Sequence, residues 1–383
     1  MKKVRYGIVG VGKQGSMYAR RLAKKNGKDA ELVAICDILE ERREWATKNL
    51  KGVKVYSDYK EMIDKNIIDA VLIEVPHYFH CEIAKYAISN AVHTLVDKPI
   101  AVFTKDAREL NEFSKQYPDT AYGIMYNQRT NPLYKRAKEL IDNGTMGSIK
   151  RVNWVITDWY RSQTYYDQGS WRGTWNGEGG GVLINQCPHQ LDLIQWLVGM
   201  PTLVRGNVKV GVNREIAVEN DVTAYFEYES GATGVFITST HDLPGANRLE
   251  IDCDGGQIII DKKNMTVSHL DEKESVYGSA RGEGFMKKQK PKVKKYKLGT
   301  LSFLSNTLWG QHFGVINAFT AHILHGTPMI ANGYEGINGL TIGNSIMLSS
   351  WLKEDVILPI DEEAFLAQLE KRKEEEKAAI ASK

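Results

Sequence analysis

Cysteine is scarce in this chain. There are four, Cys36, Cys81, Cys187 and Cys253, among 383 residues. No two of them form a CxxC pair, so neither a disulfide framework nor a zinc or other metal site is expected, and the thiols read as reduced residues of a cytoplasmic protein. Long apolar runs are missing as well. None approaches the length of a membrane span, and the first apolar strand begins almost at Met1, which argues against a secretory leader. Net charge is small: 50 Lys and Arg stand against 47 Asp and Glu, giving +3. That balance points away from nucleic acid and acidic membranes as partners. No internal repeat is visible. What is left is an ordinary globular composition, 42% apolar and 25% charged, in a chain long enough for two domains with cores of their own.

The most informative stretch is the first. Residues 4–9 (VRYGIV) form a short apolar run with β-branched members and read as a buried strand. Gly10-Val11-Gly12-Lys13-Gln14-Gly15 follows, then a segment of helical character, then a second apolar strand at 31–36 that ends in Asp37. Each glycine serves a physical purpose. Gly10 turns the chain sharply, Gly12 lets backbone approach a pyrophosphate, and Gly15 lets the helix pack close to the strand. The helix start offers unbonded N–H groups and a positive dipole end to phosphates. Asp37 comes 22 residues after Gly15, where a carboxylate accepts from the ribose hydroxyls of an adenosine. The pattern is expected to bind a dinucleotide, the alternative being a plain βαβ turn with no ligand. A carboxylate at Asp37 repels the 2′-phosphate of NADP, and Ile38 follows it rather than an arginine. Arg42 and Arg43 come later, on the next helix. NAD is therefore expected, with NADP the less favoured cofactor.

Strands and helices then alternate to about residue 127. Strands are expected at 53–56, 69–75, 94–96 and 121–125, with helices at 39–50, 58–65, 78–90 and 104–116. This is a doubly wound parallel sheet, and ligands on such sheets lie outside the carboxyl ends of the strands. The residues just after each strand therefore matter: the glycine turn, Asp37, Pro76 to His80, Asp97 to Pro99, and Tyr126 to Arg129. Beyond Pro132 the pattern changes. An aromatic strand at 149–160 and a loop at 162–181 precede an amphipathic helix expected over 182–198. Strands with turn residues between them continue from 202 to about 270. The fold class is thus α/β: an N-terminal parallel sheet over 1–127, then an α+β domain over 128–360 with a large open, mainly antiparallel sheet, then a charged helix over 361–383. An open sheet face asks for a cover, and a second copy of the chain would supply one, giving a homodimer or homotetramer. Helices are expected at 309–325 and 333–353. The basic run 286–297 reads as a solvated loop or a lysine-protected edge strand.

Two places can carry chemistry. Lys98 stands at the carboxyl end of a parallel strand, beside Asp97 and before Pro99. Its ammonium can stabilise an oxyanion formed as hydride leaves an alcohol. Position alone also admits a surface lysine before a turn. The second place is 179–192 (GGGVLINQCPHQLD), where Asn185 and His189, four apart on the expected helix, share a face with Asp192 nearby. Histidine is the natural proton acceptor near neutral pH. Spacing alone also admits a core histidine satisfied by Asp192.

These motifs together, the glycine turn, an acid-Lys-Pro after the fifth strand and GGG-x-L with a histidine ten residues beyond the first glycine, resemble the Gfo/Idh/MocA oxidoreductases. The resemblance runs from Met1 to roughly Lys353. It implies that Lys98 and His189 flank a substrate, that Asn185 stands where an aspartate is frequent, and that Pro76 and His80 serve the cofactor side. Asp97 replaces the family's glutamate. An amide at Asn185 binds a hydroxyl but cannot stabilise an imidazolium as a carboxylate does, which leaves His189 as base and Lys98 as stabiliser of the alkoxide. Tyr126, Arg129, Tyr166, Trp171, Arg172 and Trp175 are expected substrate contacts, the aromatic ones equally open to a core role. Gly10, Gly12, Lys13, Gln14, Gly15, Asp37, Pro76, His80, Asp97 and Lys98 are expected around the cofactor. The implied activity is oxidation of a ring secondary hydroxyl of a sugar, glycoside or cyclitol, the aromatic loop favouring a glucoside-sized substrate. An NAD-assisted glycosidase working by transient oxidation and elimination, and a non-catalytic NAD- or sugar-sensing regulator, are the alternatives.

Overall fold

Apolar three- to seven-residue runs, separated by helices with one apolar face, build the first sheet of the computed structural model, which describes residues 3–24, 29–169, 171–280, 288–299 and 310–382. Strands β1 (Val4–Val9), β2 (Ala30–Cys36), β3 (Lys54–Tyr56), β4 (Ala70–Ile73), β5 (His93–Val96) and β6 (Tyr122–Ile124) pair in parallel in the order β3-β2-β1-β4-β5-β6. Helices α1 (Lys13–Leu22), α2 (Glu40–Asn49), α3 (Tyr59–Asp64), α4 (His80–Ser89) and α5 (Thr104–Ser114) make the crossovers. Chain order reverses between β1 and β4, and a crevice for a ligand opens at the carboxyl side of such a switch point.

The chain divides into two compact units, Met1–Asn127 with Gln311–Leu340, and Gln128–Gly310 with Thr341–Lys383. The expected uninterrupted second domain over 128–360 is therefore corrected, because residues 311–340 return to the first unit. The reason is apolar. Phe313, Val315, Ile316 and Phe319 belong to one core with Tyr6, Ile8, Tyr18 and Leu95, and the Tyr6 hydroxyl lies 2.8 Å from Thr320 Oγ1.

The second unit holds helices α6 (Pro132–Asp142), α7 (Gln163–Tyr166), α8 (Pro188–Val198) and α9 (Glu274–Tyr277), and strands β7 (Ile149–Ile156), β8 (Leu203–Val210), β9 (Glu219–Glu227), β10 (Thr233–Ser239), β11 (Asn247–Cys253), β12 (Gly256–Asp261), β13 (Asn264–His269), β14 (Lys292–Lys297) and β15 (Val356–Ile357). The strands form one nine-stranded sheet, β14-β13-β12-β11-β7-β10-β9-β8-β15. Only the β7–β10 pairing is parallel among those described. Period-two burial marks the core face: Val222, Ala224 and Phe226 are buried on β9 while Thr223, Tyr225 and Glu227 turn outward. The basic run supplies the exposed edge strand β14, residues 286–287 lying outside the described residues.

Helix α10 (Gln311–His325) belongs to the first unit, and residue 309, its expected start, lies outside the described residues. Helix α11 (Gly336–Leu352) follows a 3₁₀ turn at Gly333–Glu335. The charged tail forms α12 (Glu362–Ala381), whose Phe365 and Leu369 are fully buried in the second unit. Its buried Glu376 accepts from the backbone N–H groups of Trp175 and Asn176 at 3.0 and 2.9 Å. The tail is thus part of that unit's core, not a separate element. No helix among the described residues is long and apolar enough to cross a membrane.

Candidate functional site

In the first unit the carboxyl edge of the sheet is shaped for a phosphate-bearing ligand. Gly10 takes a φ of +90°, and a Cβ there would lie 2.3 Å from the Glu74 carbonyl oxygen. A Cβ on Gly15 would meet the Gly10 carbonyl at 1.9 Å. Gly12 caps α1 without a side-chain hydrogen bond, so no side chain competes for the N–H groups of the first turn. Asp37, 4% exposed, accepts from Val11 N at 2.8 Å and from Leu39 N at 2.9 Å. It thereby ties the end of β2 to the glycine turn and still has lone pairs for ribose hydroxyls. These residues fit a dinucleotide.

The sequence placed Arg42 too far along to matter. Its Nη1 lies 3.5 Å from Asp37 Oδ2 and 3.6 Å from where a Gly12 Cβ would be. Lys13 is exposed at the first position of α1. Gln14 turns its amide inward, donating to the Tyr18 hydroxyl at 2.6 Å and standing 3.3 Å from His312 Nδ1.

His80 is fully buried, with Nδ1 2.7 Å from the Pro99 carbonyl and Nε2 2.8 Å from the Val75 carbonyl. Burial pushes its pKa down, against the pull of Asp97. Its ring lies between two backbone carbonyls and braces the loops after β4 and β5. Pro76, Asp97 and Lys98 remain half-buried on those loops. Three neighbours were missed: Glu74, Tyr18 and His312. Only Glu74 carried a signal, as an acid inside an otherwise apolar strand run.

In the second unit the expected helix over 182–198 is shorter. Residues 182–187 are turns, and α8 begins at Pro188, whose missing N–H costs nothing at a first helical position. Asn185 and His189 therefore do not share a helix face, since only His189 lies within α8. His189 sits in the first turn of α8, half-exposed. The glycines before it are required by packing: a Cβ on Gly181 would lie 1.9 Å from the Glu219 carbonyl oxygen. Glu219 is fully buried, and its carboxylate accepts from Gly181 N and Leu183 N. Burial pushes its pKa up to about 7 although those donors favour the charged form.

Asp192 is engaged by an arginine. It pairs with Arg129, Nε to Oδ2 at 2.9 Å and Nη2 to Oδ1 at 2.6 Å, and accepts from Gln195 Nε2 at 2.9 Å. Arg129 is thus buried, with Nε and Nη2 engaged by Asp192. Tyr126, in the first unit, is buried with its hydroxyl donating to the Gly336 carbonyl at 3.2 Å. Tyr166 is buried with its hydroxyl 2.9 Å from Thr240 Oγ1. Trp175 packs edge-on against Trp351, centroids 5.6 Å apart, in the core. All four expected contacts are buried, the placement of core residues. Trp171 and Arg172 stay half-buried, the guanidinium 4.4 Å from the Trp171 ring centre and donating to the Tyr165 hydroxyl at 2.8 Å.

Sequence reasoning passed over Glu178. It is 1% exposed, accepts from Gly173 N at 2.8 Å and from Asn185 Nδ2, and has Arg172 Nη1 at 4.0 Å. Asn185 thus turns its nitrogen to Glu178 and its carbonyl oxygen the other way. A carboxylate is present after all, one residue back from the glycines.

Models of two domains of one family match the chain: an oxidoreductase-family NAD-binding Rossmann fold over residues 4–122, and a GFO/IDH/MocA C-terminal domain over 134–259. A myo-inositol 2-dehydrogenase of Thermotoga maritima is 25% identical over 360 residues, covering 93% of this chain and 98% of that protein. A scyllo-inositol 2-dehydrogenase (NAD(+)) of Bacillus subtilis is 28% identical over 236 residues, 61% of this chain and 66% of that protein. In fold, the chain is similar to the WlbA dehydrogenase of Bordetella pertussis, solved with NADH and UDP-GlcNAcA, at a TM-score of 0.75 and 22% identity over 94% of this chain and all of that one. It is equally similar to a levoglucosan dehydrogenase solved with NADH and levoglucosan, at a TM-score of 0.76 and 20% identity over the same shares.

Proposed function

Because the chain belongs to the GFO/IDH/MocA family of NAD-dependent oxidoreductases, we propose that it oxidises a ring secondary hydroxyl of a polyhydroxylated six-membered ring, a cyclitol or a pyranose. The observation that carries this reading is the order of groups along the carboxyl edge of the first sheet. Asp37 ends β2, the glycine turn ends β1, and Lys98 follows β5. An extended dinucleotide anchored at Asp37 and the turn runs toward Lys98. NAD, when bound, supplies the hydride acceptor. Lys98 then donates to the reacting oxygen and stabilises its developing charge. His189 takes the hydroxyl proton; the first turn of a helix faces the positive dipole end, which suits the uncharged ring a base must be. Asn185, oriented by Glu178, accepts from a neighbouring hydroxyl, and Arg172 with Trp171 borders the ring.

With Tyr166 and Trp175 committed to the core, the aromatic argument for a glycoside weakens. The inositol dehydrogenases named above make a cyclitol the first substrate to try. The outward face of the nine-stranded sheet is proposed to pair with a second copy, and the protein to work as a cytoplasmic homodimer or homotetramer; sedimentation of the purified chain tests the assembly. For the activity, NAD and separately NADP are incubated with inositols, hexoses and glycosides while nicotinamide absorbance is followed. Reduction of NAD by one ring class, lost in Lys98→Ala and His189→Ala, is the expected result. Full turnover in both variants would sink the assignment.

A further inference from the structure

Glu74 lies immediately after β4. Its N–H donates to the Val9 carbonyl at 2.8 Å, and the Asp97 N–H donates to the Ile73 carbonyl at 3.0 Å. The β4–β5 register ends at Ile73 opposite Val96, so Glu74 and Asp97 are the next pair, side by side across one strand spacing of about 4.8 Å. Glu74 also borders the cofactor turn: its Cβ is 3.4 Å from where a Gly15 Cβ would stand. One carboxyl oxygen, Oε2, is sealed from solvent with no hydrogen-bond partner among the described residues. Burial, and then Asp97, drive its pKa well above the carboxylate range, with Lys98 pulling the other way.

Burial works against the charged form of the titratable groups packed around this pair. From α1, Tyr18 is held in its phenol form by burial and then by Glu74 and Asp97. From α10, His312 is pushed down to about 4 by burial, its Nδ1 2.7 Å from the Tyr18 hydroxyl. From α4, His80 is pushed down as well. The charges that act on Glu74 are those of Asp97, which opposes its ionisation, and Lys98, which favours it. With Glu74 protonated they sum to zero. With Glu74 ionised they leave one negative charge.

We propose that Glu74, paired with Asp97, is the charge counterpart of the nicotinamide: it gives up its proton when the oxidised, cationic ring is bound and holds it when the reduced, neutral ring is bound. This rests on the NAD-dehydrogenase reading above. A dinucleotide held by Asp37 and Gly10 to Gly15 would extend along the carboxyl edge toward β4 and β5, and with Asp97 and Lys98 offsetting each other the charge beside its ring would stay balanced in both states if Glu74 moves one proton. The balance closes. Oxidation breaks a C–H bond, whose electron pair leaves with the hydride, and an O–H bond, whose proton is released. Glu74 takes up one proton as the positive charge on the ring disappears.

The test uses the intact wild-type protein and binding alone. Calorimetry of NAD⁺ and NADH in buffers of different ionisation enthalpy counts the protons exchanged. NAD⁺ is expected to release up to one proton more than NADH, and the ratio of the two affinities to change by up to about tenfold per pH unit in favour of NAD⁺ as pH rises. In Glu74→Gln the difference in protons vanishes, the ratio becomes flat with pH, and NADH gains about tenfold relative to NAD⁺. Equal proton counts for both forms in the wild type overturn the proposal whether or not the variant folds. Retention of the pH-dependent ratio in Glu74→Gln overturns it too. Failure of the wild type to bind either form removes the dehydrogenase reading itself, a result distinct from tight binding with equal proton counts.

Discussion

Arg129 and Asp192 form a bidentate ion pair in which neither side chain is more than 2% exposed. The pair fixes α8, which carries His189, to the segment entering α6. Removing one partner leaves the other charge buried and alone, which costs about 3–5 kcal/mol. Arg129→Ala is therefore expected to lower the melting temperature by on the order of 10 °C. At a temperature where it remains folded, its KM for the ring substrate should stay within about twofold of wild type, since no free guanidinium was lost. A KM raised far beyond that, with an unchanged melting temperature, would restore Arg129 to the substrate site. Arg129→Met combined with Asp192→Leu should recover most of the stability, because a neutral apolar pair removes the orphaned charge.

Cofactor choice turns on Asp37 and Arg42. The carboxylate both repels a 2′-phosphate and neutralises the guanidinium 3.5 Å away. In Asp37→Ser that restraint goes, and Arg42, already beside Gly12, becomes a charge-assisted partner for the phosphate. The ratio of kcat/KM for NADP to that for NAD should rise by about 100-fold, most of it from loss with NAD. The variant should also lose about 1–2 kcal/mol of stability, since the Val11 and Leu39 N–H groups lose their acceptor. A ratio unchanged in steady-state assays with both cofactors would show that Arg42 does not reach the phosphate.

How far the sequence disclosed this depended on range. The glycine turn, Asp37 and the alternating strands are local patterns, and the parallel sheet formed as periodicity and turn chemistry required. The return of 311–340 to the first unit was invisible, because it rests on Phe313 and Phe319 meeting strands some 200–300 residues earlier in the chain. The start of α8 at Pro188 was written in the proline, but apolar residues before it mimicked helical periodicity. Arg129, Tyr126, Tyr166 and Trp175 show a second limit: a side chain able to bind a sugar is also able to fill a core, and their burial is not written in the sequence. Glu178 and Glu219 were passed over because a buried acid looks like a surface acid until its neighbours are in place, and Glu74, half-buried with one oxygen sealed, was passed over for the same reason.

Glu178 and Asn185 should behave as a unit. Asn185 donates to Glu178, so Asn185→Asp sets two carboxylates against each other, and one must hold a proton or turn away. That single variant is expected to raise the substrate KM about tenfold while NAD affinity, measured separately by fluorescence, is unchanged. Glu178→Gln should do the same by freeing the Asn185 amide to rotate. Combining Glu178→Gln with Asn185→Asp restores one acid and one amide in contact, and the KM should return to within about threefold of wild type. Strictly multiplicative losses in the double variant would show that the two residues act independently.

The stability of the protein should carry the signature of Glu219. Its folded pKa of about 7 exceeds the ordinary value of 4.5, so between those values the folded state binds a proton that the unfolded state has released. The sign follows: the contribution is fully present below about pH 4.5 and is lost as pH rises through about 7. The full shift corresponds to about 3 kcal/mol. Glu219→Gln keeps one oxygen for the Gly181 and Leu183 N–H groups but removes the titration. Wild-type and variant melting curves, recorded without cofactor from about pH 5 to about pH 8, should therefore diverge. The wild type loses several degrees across that range beyond whatever trend the variant shows, and the variant is the more stable at the alkaline end. Parallel curves would mean that the Glu219 carboxylate is ionised throughout, held so by its two backbone donors, and the loop of glycines before α8 would then owe its shape to a permanent buried charge.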